Sequence, residues 1–260
     1  MRRSGPAVVA TIVPALTAAL AACSANGGDN SVLILHNEAP ADGCIVSTDN
    51  ISAARSSGVI DLLLWSPGNE VFGYLFTPLV ENFAVADNAN QALVKQRTAQ
   101  VLGAHVDLTF GNDTVLTAAD QDALDTAGAL HFDARFSGAI PPNNGLGAYS
   151  FDVVPAAVFD AIANKYVGVS ATPPSVDIIA RVVMYGNQNG GTFESQPFDY
   201  AVTACRGCLT QNVGPCATLA SSFMARTGGV CSAIQDGVLD CCETPDGKLE
   251  CPAAPPASGT

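Results

Sequence analysis

Charge is scarce in this chain, and positive charge scarcest: 11 Lys and Arg stand against 24 Asp and Glu, a formal net charge of −13. That balance repels nucleic acid and anionic head groups, so neither is expected as a partner. Aromatic residues are thin, and the single tryptophan, Trp65, lies in an apolar run, so a sugar-binding aromatic platform is hard to assemble. Histidine occurs only as His36, His105 and His131, which leaves few general bases. Nucleophilic catalysis finds neither a Gly-x-Ser-x-Gly elbow nor a Ser-x-x-Lys. Gly145-Leu-Gly147 runs into Ala-Tyr-Ser, which is not a dinucleotide fingerprint. No apolar run after residue 22 is long enough to span a bilayer as a helix. No catalytic residue can be named, and the chain reads as a non-enzyme.

What is present is apolar and turn-rich. At 48% hydrophobic the chain is too apolar for disorder and should bury a core. Abundant Ala, Val, Thr and Gly favour strands over helices. Strand candidates are Ser31 to His36, the nearly continuous apolar run Val59 to Trp65, and Val71 to Leu79 as the hairpin partner of that run. Residues 86–100 show no clear period. In Ala104 to Phe110, His105, Asp107 and Thr109 oppose Val106, Leu108 and Phe110; in Leu130 to Phe136, His131, Asp133 and Arg135 oppose Leu130, Phe132, Ala134 and Phe136. Between them, Thr117 with Asp120 three residues on predicts a helix N-cap. Tyr149 to Val154 predicts a strand and Pro155 the start of a short helix to Asn164. Val176 to Tyr185 and Phe198 to Thr203 flank Gly186-Asn-Gln-Asn-Gly-Gly191, a hairpin signal. The fold expected is all-β: an antiparallel β-sandwich, one or two sheets packed face to face, with short helices and a small disulfide-stapled C-terminal region.

The N-terminus carries an address. Arg2 and Arg3 precede an uncharged run, Ala7 to Ala22, which is short for a spanning helix and contains Pro14. It closes on Leu20-Ala21-Ala22-Cys23, which resembles the lipobox of bacterial lipoproteins at all four positions. The resemblance implies cleavage before Cys23 and its acylation. Two or three acyl chains then anchor the protein, each buried methylene contributing ~0.8 kcal/mol. Ser24 after the anchor, in place of an aspartate, points to the outer membrane under the family's sorting rule. Without residues 1–22, 9 basic side chains face 24 acidic ones, a formal charge of −15. The expected organisation is a signal peptide over 1–22, acylated Cys23 and a flexible tether over 23–31, a β-sandwich over 32–204, a cysteine-rich region over 205–251 and a disordered tail over 252–260.

Eight further cysteines are Cys44, Cys205, Cys208, Cys216, Cys231, Cys241, Cys242 and Cys251. In an exported chain an even count reads as four disulfides, with 105 connectivities open. Seven lie within 205–251, so full internal pairing obliges Cys44 to bond one of them across a very long loop. Adjacent Cys241 and Cys242 should reach different partners. Beyond Leu219 to Met224 this region has little to bury, so disulfides must hold it. Cys205-Arg-Gly-Cys208 has the spacing of a redox dithiol or half a zinc site, but lacks the βαβ context of the first and the second ligand pair of the other.

Two constellations invite a metal. His105-Val-Asp107 and His131-Phe-Asp133 each put an imidazole and a carboxylate on one strand face; neighbouring strands in register would gather His105, Asp107, His131 and Asp133 into a transition-metal site, and otherwise they are polar residues of an outer face. Asp113, Asp120, Asp122 and Asp125 suggest calcium or a solvated helix face, without the spacing of a helix-loop-helix site. No cofactor is required by either. The stretch from the Asn-Gly-Gly turn through Phe198 to Cys208 resembles cysteine-rich myxobacterial lipoproteins, which implies an extracytoplasmic fate and no activity. The expectation is a lipid-anchored envelope protein with a non-catalytic binding role towards an envelope protein or exported polymer. The alternatives are a metal- or calcium-dependent hydrolase and a purely structural component.

Overall fold

The computed structural model describes residues 31–48, 54–68, 72–111, 115–167 and 175–254. The expected signal peptide, Cys23, all of the expected tether but its last residue, Asp113 and the end of the expected tail lie outside them. Among the described residues the strands are β1 (Val32–Glu38), β2 (Ala54–Arg55), β3 (Ser57–Asp61), β4 (Tyr74–Phe76), β5 (Pro78–Asn82), β6 (Ala99–Phe110), β7 (His131–Ile140), β8 (Gly145–Ala148), β9 (Phe151–Val154), β10 (Val176–Gln188), β11 (Gly191–Glu194), β12 (Phe198–Cys205), β13 (Thr210–Pro215), β14 (Leu239–Glu243) and β15 (Leu249–Glu250). The helices are α1 (Gln91–Arg97), α2 (Ala118–Thr126) and α3 (Ala156–Tyr166). None of them is long and apolar enough to cross a membrane.

A four-stranded sheet, β2-β1-β5-β8, and a six-stranded sheet, β3-β12-β10-β6-β7 with β11 beside β10, share one apolar core. Period-two alternation decides which side chains enter it. Val176, Ile178, Ala180, Val182 and Met184 of β10 are fully buried, as are Tyr200 and Val202 of β12. They meet Val32, Ile34 and Val80 of the smaller sheet and Val158, Phe159 and Ile162 of α3. Polar pins fix the two sheets against each other: the Asn37 amide donates to the Tyr200 hydroxyl at 2.7 Å, and Gln188 Nε2 donates to Asn82 Oδ1 at 3.0 Å. Each pin satisfies a buried polar group that would otherwise be costly. The mostly β, mostly antiparallel architecture is the one expected.

Several local expectations hold. Thr117 closes a capping box with Asp120 at the start of α2, and Pro155 precedes α3. The 186–191 stretch turns β10 into β11 through Asn189 and Gly190, both with positive φ.

Others need correction. The run Val59 to Trp65 is not one strand: β3 ends at Asp61, whose Oδ1 accepts the Leu63 amide at 2.9 Å and turns the chain. Val71 to Leu79 is not its hairpin partner. β4 pairs with β9, β5 pairs with β1 and β8, and β3 lies parallel to β12. β13 and β14 are a second parallel pair. Residues 86–100 contain α1, capped by Asn90, and the start of β6; α1 buries no side chain, so it leaves no apolar period to read.

The cysteines pair as Cys44–Cys231, Cys205–Cys208, Cys216–Cys242 and Cys241–Cys251. Cys44 does reach the C-terminal region, across 187 residues, and Cys241 and Cys242 do part company. That region is less detached than a separate unit. Asp61 N donates to the Ile234 carbonyl and Asp236 N to the Val59 carbonyl, so residues 234–236 flank the free edge of β3. Asp236 also accepts from the Tyr74 hydroxyl at 2.7 Å, from Arg55 at 2.9 Å and from the Val59 amide at 2.7 Å. The region buries Leu239, Cys241 and Cys242 rather than the Leu219 to Met224 stretch, where Met224 is 91% exposed.

Candidate functional site

The face of the six-stranded sheet that points away from the core is polar because every second residue must be. Register then decides which of these polar residues become neighbours. Arg181 of β10 stands opposite Asp199 of β12 and Asp107 of β6, and Asp107 stands opposite His131 of β7. The result is one row across four strands, Asp199–Arg181–Asp107–His131, in which charge alternates. Asp125 of α2 extends it, its Oδ1 lying 3.6 Å from His131 Nε2. The adjacent row is Val183–His105–Asp133, and the next Tyr185–Gly103–Arg135.

Within the rows the groups are held. Arg181 grips Asp199 through two bonds, Nε to Oδ1 at 2.8 Å and Nη2 to Oδ2 at 3.0 Å, the geometry that suits a planar guanidinium. This contact holds the Asp199 carboxyl below its usual range. His105 Nδ1 lies 2.7 Å from Asp133 Oδ1, and His131 Nδ1 lies 2.7 Å from Asp107 Oδ1. The His105 ring also stacks on Tyr185, with centroids 4.4 Å apart. Tyr185 can lie there because residue 103 is glycine: a Cβ would come within 2.4 Å of the Ala134 carbonyl oxygen and 2.7 Å of the Tyr185 hydroxyl. Between the two His–Asp pairs is a shallow depression of about 590 Å³, and a second of about 360 Å³ runs on from His105 past Tyr185.

The four residues singled out in the sequence are therefore brought together, on neighbouring strands and in register. They are arranged as two cross-strand pairs, each imidazole turning its Nδ1 to the carboxylate opposite. Among the described residues, three or more metal-type donors converge within 4.8 Å only at Cys216, Cys242 and Glu250, and both of those sulfurs are in the disulfide that joins them. Of the acidic group near α2, Asp120 serves the N-cap and pairs with Lys165 of α3 at 2.7 Å, while Asp122 and Asp125 are exposed. His36 lies on β1, away from this face. Arg181, Asp199 and Tyr185 complete the site without having been singled out. Their exposed parity on β10 and β12 was readable, but the row they join depends on which strands become neighbours.

His131 gives the face a pH response. The hydrogen bond that the imidazole donates to the Asp107 carboxylate raises its pKa above the ordinary value, partial desolvation opposes this, and the charges of Asp107 and Asp125 add to it. A folded-state pKa that is raised supports folding fully below the unfolded value of about 6.5, and the support fades as pH rises through the raised value. With His131 59% exposed the effect on stability is small, so the titration itself is the readout. In NMR titrations, Asp107→Asn should bring the His131 pKa down towards the ordinary value. An unchanged titration would remove Asp107 as the cause.

No protein-family model, curated protein or solved structure matches the chain.

Proposed function

We propose that this is a lipid-anchored cell-envelope protein, held in the outer membrane through Cys23, whose exposed sheet face makes a non-catalytic contact with an envelope protein or an exported polymer. The observation that carries the binding role is the row Asp199–Arg181–Asp107–His131, which presents donors and acceptors of both signs at fixed spacing on an exposed face. Preorientation of this kind lowers the ordering cost of association, and alternating charge selects a partner by complementarity more than by raw affinity. The address is supported by the lipobox-like Leu20-Ala21-Ala22-Cys23 and by four cysteine pairs, which suit an oxidising compartment.

The test places a photoreactive residue at Thr109, on this face, or at Lys95 of α1 as a control, in cells whose envelope is intact. Illumination should trap a partner from position 109 and not from 95, and Arg181→Ala should diminish the adduct. Intact mass of the extracted protein should show a chain that starts at an acylated Cys23. Equal trapping from both positions would sink the face as the contact, and an unmodified Cys23 would sink the anchor alone.

A further inference from the structure

A separate cavity of about 330 Å³ opens where the first loop, β4, β9 and the C-terminal region converge. Its size falls at the small end of ligand sites, which run from about 300 to 1,000 Å³, and its place at a junction between parts of the fold is where such sites concentrate. The walls are mainly apolar. Trp65 forms one side, its ring orientation fixed by Nε1–H donating to Asp160 Oδ1 at 2.8 Å and by edge contact with Phe159. Phe72 stands at the cavity 75% exposed, an unusual position for a large aromatic side chain, and Leu75 and Ile234 complete the apolar lining.

The polar content of this cavity is one-sided. Asp152 of β9 lines it, accepting the Gly73 amide at 3.0 Å through Oδ2. Gly73 can come so near only without a side chain, because a Cβ there would lie 1.8 Å from the Val154 carbonyl oxygen. The Gln235 amide is no counter-group, since its oxygen accepts the Leu75 N–H and its nitrogen donates to the Leu75 carbonyl. Among the described residues, no lysine, arginine or histidine lines the cavity. Burial raises the Asp152 pKa, as expected of a carboxylate lacking a cation beside it.

We propose that this cavity binds a small organic cation, an ammonium group on an apolar body, with the ammonium on the Asp152 carboxylate and the body between Trp65 and Phe72. A positive centre there meets Asp152, the one charged side chain that lines the cavity among the described residues. The aromatic side chains give the apolar body a surface to pack on. The acidic surface of the whole chain raises the local concentration of cations at the mouth. The site is independent of the sheet face and would stand if that contact failed.

Trp65 is the only tryptophan, so its emission reports this cavity alone. The oxidised full-length chain would be titrated with 2-phenylethylammonium and with the neutral isostere 2-phenylethanol. The ammonium should change Trp65 emission saturably and bind ~10-fold more tightly than the alcohol, as a charge-assisted contact requires. Asp152→Asn, which keeps an acceptor for the Gly73 amide, should remove that preference while leaving alcohol binding in place. Phe72→Ala, at an exposed position that folding does not need, should weaken both. Equal affinity for the two probes, an unchanged preference in Asp152→Asn, or no saturable response would each overturn the proposal.

Discussion

Replacing Asp61 with alanine should lower folding free energy by about 3–5 kcal/mol. Asp61 is fully buried, and its carboxylate accepts five hydrogen bonds. Leu63 N and Gly207 N donate to Oδ1 at 2.9 and 2.6 Å; Leu209 N, Thr210 N and Thr210 Oγ1 donate to Oδ2 at 2.9, 2.8 and 2.9 Å. Four of these donors are backbone amides; two belong to the loop that leaves β12 through the Cys205–Cys208 pair and one to Thr210 at the start of β13. An unpartnered buried donor costs about 1–3 kcal/mol; partial hydration of the loop keeps the total below the sum. Asp61→Asn should lose nearly as much, because its NH₂ would face donors. Urea denaturation of the oxidised protein reads the loss directly, and a fall of less than 1 kcal/mol would mean that the loop is organised by something else.

The double variant Cys44→Ala, Cys231→Ala should lose ~5 kcal/mol if the bond acts by restricting the unfolded chain. The pair spans 187 residues, whereas Cys205 and Cys208 are 3 apart. The same chain-entropy reasoning assigns the short loop only ~2 kcal/mol, so the ordering of the two variants is the informative result. Denaturation midpoints of both, compared with the intact chain, check it. A larger loss from Cys205→Ala, Cys208→Ala would refute the entropic account and show that native packing around Asp61 matters more than loop closure.

How much of this was legible in the sequence depended on the range of the interaction responsible. Alternation in residues 104–110 and 130–136 comes from burial on one side of a strand, a local pattern, and it placed His105, Asp107, His131 and Asp133 on a common outer side. The helix caps at Thr117 and Pro155 are likewise local. Pairing is not: that β3 should lie beside β12 is decided by the whole core, so the expected hairpin from residue 59 to 79 failed. Asp61 was visible as one acid in an apolar run, yet nothing nearby showed that four of its five donors come from residues 146 to 149 positions away. Parity alone tied Cys44 to the C-terminal region, and Cys231 as the partner was beyond it. The Asp152 cavity had no sequence signature, since its walls come from four distant stretches.

The parallel contact of β3 with β12, and the flank that residues 234–236 add on its other edge, set an order of events during synthesis. A chain grows from its N-terminus, so β3 is made long before either neighbour exists. Until residue 205 has emerged it has no strand beside it, and until residue 236 its far edge stays bare. An apolar strand with two open edges is a template for the wrong chain as much as for the right one. This molecule therefore reaches its final form late, only after residue 236 has been made, and it is in that interval that a protecting partner would matter most.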